Sequence, residues 1–316
     1  MNRKIFSLIT IVMLVVGGIA FAGHHEELST FAGVNGDQSI KGCGTAGMDA
    51  SILSGQIDTP FLTAQGGIAE IDLCIMGKGK LKQAGCAIVE NEIDKCRLEK
   101  ETLASAGGGQ EIKGCGAAEA SYGAASMQIE TPCLTAQGGI AETDQLMTGA
   151  GKLEQGGGAT VENEIDKCRT EIEQSACAGG GQSIRGNGGA EASYGAAAGQ
   201  VETPFLTAQA GAAETDQLMI GTGCLEQGAG IHLENEIDSR GFEAEQSVCG
   251  SNNQRAYGEA VMANSLSGCA AQVQTPCLTA QVANVNSSSF MAGSGCLSSS
   301  TNISVSNRIE SNGGPK

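Results

Sequence analysis

The sequence predicts an all-β repeat protein, a β-solenoid with coils of about 18 residues built from four 72-residue repeats. Three observations predict it. The phrase QIDTPFLTAQ at Gln56 returns as QIETPCLTAQ at Gln128, QVETPFLTAQ at Gln200 and QVQTPCLTAQ at Gln272, each time 72 residues on. The units align without an insertion, and the second and third agree at 48 of 72 positions. Surface loops drift in length, so a constant period suggests that a stacked lattice counts every residue. Finally, amides recur inside each unit about 18 residues apart, as in Gln110, Gln128, Gln145, Asn163 and Gln182.

In chain order, residues 1–22 read as a secretion signal. Arg3 and Lys4 precede the apolar run Ile5 to Val16, and Ala20-Phe21-Ala22 offers a small-x-small cleavage site after Ala22. The expected location is therefore extracellular or at the cell surface, with no transmembrane span once the signal is removed. Residues 23–34 form a short tail. A mature chain beginning Gly23-His24-His25 could hold Cu(II) or Ni(II) through its amine, two amide nitrogens and an imidazole. A solvated tail with incidental histidines is the plainer alternative.

The repeats follow as 35–106, 107–178, 179–250 and 251–316, together one solenoid domain. The last is Ser- and Asn-rich, a candidate cap or docking end. The positions Gln38, Gln110, Gln182 and Gln254 form one fixed set, Gln56, Gln128, Gln200 and Gln272 a second, and Asn91, Asn163, Asn235 and Asn307 a third. Amides on strands stacked about 4.8 Å apart can bond along the stack, each donating to one neighbour and accepting from the other. On this reading the two Gln of the ten-residue phrase are two separate rails, one per strand of a coil. Sixteen such coils would give a rod about 75 Å long.

The strand assignment has a rival. Val161, Ile165, Cys168 and Ile172 fall at helical spacing among Glu, Lys and Arg. That alternative is a repeat array with one short helix per 72-residue unit. Against it, Ile303, Val305, Asn307 and Ile309 alternate with polar residues at the aligned place, as do Ile231, Leu233, Asn235 and Ile237. Recurrent Gly (Gly77 and Gly79, Gly149 and Gly151) and Pro60, Pro132, Pro204 and Pro276 are expected at corners. With 48 Gly, no Trp, three Tyr and seven Phe, the core has to be thin and filled by small residues.

Thirteen Cys lie in the exported part, and many are exchanged between copies, Cys133 for Phe61 and Phe205 among them. Small buried filler explains most of them. Spacings of 18 and 19 residues nominate Cys115–Cys133 and Cys277–Cys296 as candidate disulfides between stacked coils. The acids Glu90, Glu92 and Asp94, with copies Glu162, Glu164 and Asp166, suit a solvated face or weak calcium binding. His232 reads as solvent-facing. A formal charge of −17 argues against nucleic acid and anionic lipid. No catalytic residues are nominated, because no Ser/His/Asp set, HExxH, CxxC or GK[ST] loop is present.

In repeat design, though in no motif, the chain resembles secreted functional-amyloid fibre subunits of the curli or Fap type. The resemblance implies a structural subunit or accessory of an extracellular fibre or biofilm matrix, partnered by copies of itself or other surface components. It carries no residue roles across. The alternatives are a monomeric surface adhesin or an ice- or polysaccharide-binding rod, and behind them a redox or metal-binding protein using Cys and the His pair.

Overall fold

The computed structural model describes residues 27–59, 61–95, 98–167, 170–239, 242–275 and 278–311. They form nine strands: β1 (Glu27–Thr59), β2 (Leu62–Lys95), β3 (Leu98–Thr131), β4 (Leu134–Lys167), β5 (Thr170–Thr203), β6 (Leu206–Ser239), β7 (Phe242–Thr275), β8 (Leu278–Gly293) and β9 (Cys296–Ser311). All pair antiparallel in one sheet, in sequence order from β1 to β8, while β9 also pairs with β7. β8 covers the second half of β7 and β9 the first half, so the two together make one further layer. The stack thus has eight layers, two per 72-residue unit.

Period-two patterning makes the strands. In β2, Ile71, Leu73 and Ile75 are buried while Asp72, Cys74 and Met76 face out. Each long strand is bent double. Gln38 reaches the Gly47 carbonyl at 2.8 Å, and Gln56 reaches Thr30 at 3.0 Å, although those partners are 9 and 26 residues away on the same strand. The fold line is a column of glycines paired rung to rung: Gly42, Gly79, Gly114, Gly151, Gly186, Gly223 and Gly258. All of these hold positive φ, from 109° at Gly223 to 155° at Gly186, in a region that a Cβ makes costly.

The two arms of each layer therefore face one another, and the core lies between them. It is thin, as the composition requires. Ala69, Ala124, Ala141, Ala196 and Ala213 form one column, and Ile75, Ala118, Met147, Ala190 and Met219 another, where large and small side chains alternate along most of its length. Opposite the glycine line, Thr-Pro-x-Leu turns reverse the chain. Thr131 Oγ1 accepts from the Leu134 amide at 3.1 Å, and Thr203 Oγ1 from Leu206 at 3.0 Å. Pro132 and Pro204, which cannot donate to a ladder, sit in these turns.

The all-β repeat reading stands, but its winding is serpentine. A stretch of about 18 residues is one arm, not a full coil, and successive layers run in opposite directions. With strands about 4.8 Å apart and rising about 3.3 Å per residue, the eight layers give a slab about 35 Å tall and 50 Å along each arm, not a narrow rod. No helix occurs among the described residues. Val161, Ile165 and Ile172 are all buried on strands, and Ile165 pairs with Ile172 across a hairpin. That reversal, seven residues wide, imitates a helical repeat in the sequence. The signal segment, its cleavage site at Ala22, and His24 and His25 lie outside the described residues.

Candidate functional site: amide rails and open edges

Three amide rails run through the stack. The first holds Gln38, Gln83, Gln110, Gln155, Gln182, Gln227 and Gln254 in direct register. Nε2 of Gln83 donates to Gln110 Oε1, Gln110 to Gln155 at 3.2 Å, Gln155 to Gln182, Gln182 to Gln227 at 3.3 Å, and Gln227 to Gln254. The second N–H of Gln110 crosses between the arms to the Glu119 and Leu146 carbonyls. The rail therefore binds layer to layer and arm to arm.

The second rail is Gln56, Gln65, Gln128, Gln137, Gln200, Gln209, Gln272 and Gln281. Gln65 donates to Gln128 at 2.8 Å and Gln137 to Gln200 at 3.2 Å. This corrects the two-rail reading of the ten-residue phrase. Gln56 and Gln65 are cross-hairpin partners and so consecutive rungs of one rail. The third rail carries Asn91, Asn163, Gln174, Asn235, Gln246 and Asn307. From Asn163 it bonds at 3.2, 2.8, 3.1 and 3.0 Å in turn. All twelve predicted amides stand on these rails; the sequence reading set alternate members such as Gln65 and Gln137 on a separate rail because the antiparallel layers mirror their positions. In every amide-to-amide rung above, the donor points toward the C-terminal layer. Inside, the rails are nearly dry: Gln128, Gln200, Gln272 and Asn235 are at most 1 % exposed. Burial at that depth is costly without bonded partners, and it leaves the side-chain oxygens of Gln137, Gln209, Gln272 and Asn163 without one.

A polar contact that sequence reasoning did not anticipate is Tyr122 and Tyr194, both fully buried. Gln145 Nε2 donates to Tyr122 Oη at 3.1 Å and Gln217 Nε2 to Tyr194 Oη at 2.9 Å. Burial pushes the Tyr194 hydroxyl up to about 12, against the opposing effect of Gln217. Their signal was the phrase EASYG at Glu119 and Glu191.

The disulfide expectation finds no supporting geometry. Cys115 sits beside the glycine fold line and Cys133 in a hairpin turn, at opposite ends of one arm about 50 Å apart, and both are free. Cys296 is also free and Cys277 lies outside the described residues. Cys115 and Cys133 lie along one arm of a single layer, not on neighbouring rungs.

His232 has company. Its Nδ1 is 3.0 Å from Cys249 Sγ and its Nε2 3.4 Å from Glu234 Oε2. The β6–β7 hairpin brings Cys249 alongside, which residue spacing alone concealed. Thiol, imidazole and carboxylate stand on an open strand face, with His232 and Glu234 both 43 % exposed, so nothing there excludes water. Of the acids considered for calcium, Glu164 gathers with Glu171 and Glu173, their oxygens within 4.8 Å. A hydrogen bond that the protonated Glu171 carboxyl donates to Glu173, then the Glu173 charge and desolvation, raise Glu171.

The stack ends on two open edges. Among the described residues, β1 pairs only with β2, and β8 and β9 pair only with β7. Core-type side chains lie uncovered there: Met48 and Ile52 on β1, and Leu297, Ile303, Val305 and Ile309 on β9. Among the described residues no helix is long and apolar enough to cross a membrane. Comparison of the chain with protein-family models, curated proteins and solved structures finds no match.

Proposed function

We propose that this chain is an exported, non-enzymatic structural protein, the subunit or accessory of an extracellular fibre or matrix held together by amide rails. One observation carries the reading: the interior register runs unbroken to both terminal layers, and among the described residues each ends in unpaired backbone and bare apolar side chains. Such an edge is a template for another chain unless something blunts it. Incubating the processed chain at rising concentration should give fibres with reflections near 4.8 and 10 Å, the two spacings of stacked β-layers. A chain that stays monomeric for days at high concentration sinks the proposal.

The alternative, a monomeric rod that binds a polysaccharide, draws on a different feature. Lys41, Lys80, Lys113, Lys152 and Arg185 are consecutive rungs of one row on the stack. Retention of the monomer on an anionic polysaccharide column, lost on replacing those bases, would favour it over self-assembly.

A further inference from the structure

We infer that the partner at the open edges is a second copy of this chain, docked head to tail in one register: Gln281 of the β8–β9 layer opposite Gln56 of the next copy's β1. The inference rests on the fibre reading and adds the partner, the polarity and the alignment.

Register is a single adjustable quantity, and a slip of one residue turns every side chain to the wrong face. Setting Gln281 on Gln56 continues the second rail. With no further freedom, Gly295 then falls opposite Gly42, which prolongs the glycine fold line; both hold positive φ, 110° and 145°. Leu297 falls opposite Ile40, extending the column Ile40, Leu81, Ile112, Leu153, Ile184 and Leu225. Met291 meets Ala46, a large side chain over a small one. Asn307 meets Thr30, the same Asn–Thr pairing that Asn91 makes with Thr30 within the chain. The eight layers supply the direction: an even number leaves the last layer antiparallel to the next β1.

Charge fits as well. Glu92, Glu101, Glu164, Glu173, Glu236 and Glu245 stack as one carboxylate row, which ends on Ser29 at one side and Arg308 at the other. Arg308 lies 3.7 Å from Glu245. At the proposed junction Arg308 meets Ser29, and Asp37, Asp49 and Asp58 meet Ser300, Ser288 and Thr279. Glu310, ion-paired to Arg308 at 2.6 Å, meets the position of Glu27. The amide rails are polar too. Gln246 Nε2 donates to Asn307 Oδ1, leaving the Asn307 amide N–H groups for the open edge. Gln56 donates inward to Gln65 and Thr30, leaving its oxygen for an incoming donor. Head-to-head docking would set acceptor on acceptor.

The test uses two single variants of the processed chain, Gly55→Cys and Val282→Cys, which this register places face to face. Both sites tolerate the change: nothing lies within 4 Å of a Cβ at Gly55, and Val282 is 66 % exposed. Opposed cross-strand residues come within disulfide range. Fibres grown from an equal mixture are treated with oxidised glutathione and mapped by non-reducing mass spectrometry. A 55–282 intermolecular link at least tenfold above 55–55, 282–282 and the offset link from Leu53→Cys supports the inference. Fibres that lack the 55–282 link, or carry mainly 55–55 links, overturn it while leaving the fibre reading intact. If the unsubstituted chain forms no fibres, both readings fall together.

Discussion

Replacing Gly151 by Ala tests the bent layer directly. Gly151 holds φ 118°, and a Cβ there would lie 2.1 Å from the Lys113 carbonyl oxygen and 3.2 Å from the Gly114 Cα. The obstacle is the backbone of the next rung, which cannot swing aside as a flexible side chain would. Holding a non-glycine residue at such a φ costs about 1–3 kcal/mol. Pushing the rungs apart adds about 1–3 kcal/mol, as other forced packings do. The control is Gly195→Ala, where nothing lies within 4 Å of the new Cβ and the change should stabilise by about 0.4–1 kcal/mol through the unfolded chain. The two variants should therefore differ by roughly 2–7 kcal/mol. Urea unfolding of dilute, unassembled chain, followed by far-ultraviolet dichroism, gives the totals. Because each layer touches only its neighbours, hydrogen exchange should show protection lost mainly in β3, β4 and β5 near the fold line. Equal midpoints for the two variants would mean that the chain does not bend at the glycine column, and the paired-arm architecture would fail with it.

Gln155→Leu keeps the volume of a rung but orphans Gln182 Oε1, so it should cost about 1–3 kcal/mol by urea midpoint, against less than about 1 for Gln38→Leu at the exposed end layer. Tyr194→Phe removes the acceptor of Gln217 Nε2, which keeps only the Gly228 carbonyl, and should lower stability by about 1 kcal/mol in the same assay. For pH the signs oppose. Desolvation and then neighbouring carboxylates raise Glu101, Glu164 and Glu236, so protonation favours the folded chain; that stabilisation is complete below the ordinary value of 4.5 and is lost as pH rises through the elevated values. At Glu111 desolvation is outweighed by Lys113, Lys82 and Lys80, which hold the carboxyl down to about 2, so its contribution is complete above 4.5 and lost as pH falls toward 2. Thermal midpoints should therefore rise from pH 7 toward about 4.5 and drop below about 3; a midpoint that falls steadily from pH 7 would contradict both.

The rail positions, the glycine corners and the strand class were legible in the sequence because each depends on one residue recurring at one spacing. The direction of winding was not, since a one-handed coil and a serpentine stack produce the same 72-residue period. The distinguishing signal was mirror symmetry. Gln56 and Gln65 are equidistant in sequence from Pro60–Phe61, and Asn163 and Gln174 from Cys168–Arg169. Residues that reflect about a turn become rungs of one row only if the chain doubles back. The His232–Cys249 contact was hidden for the same reason: its two members reflect about 240–241, with no repeated phrase to mark them.

The register that aligns amides also aligns acids, and this ties stability to assembly. Each added layer gains a bonded amide rung, as at Gln155 over Gln110, and in the same step sets Glu164 over Glu101 or Glu236 over Glu173. The first effect changes little between pH 4 and 8, because amides do not titrate. The second is repulsive at neutral pH and relaxes as the raised carboxyls take up protons. The end layers break the pattern: Ser29 and Arg308 replace the acid at the two terminal rungs. Repulsion along this row is thus carried inside the molecule, where the covalent chain and buried rails hold it, and is absent from the row's two terminal rungs. A chain with Glu in place of Arg308 would extend the acid row to the open edge, one serine rung from the next copy's Glu92. Its seeded fibre growth should slow at least tenfold at pH 7 and recover near pH 4.5, whereas a rate independent of pH would show that the acid rows play no part in addition.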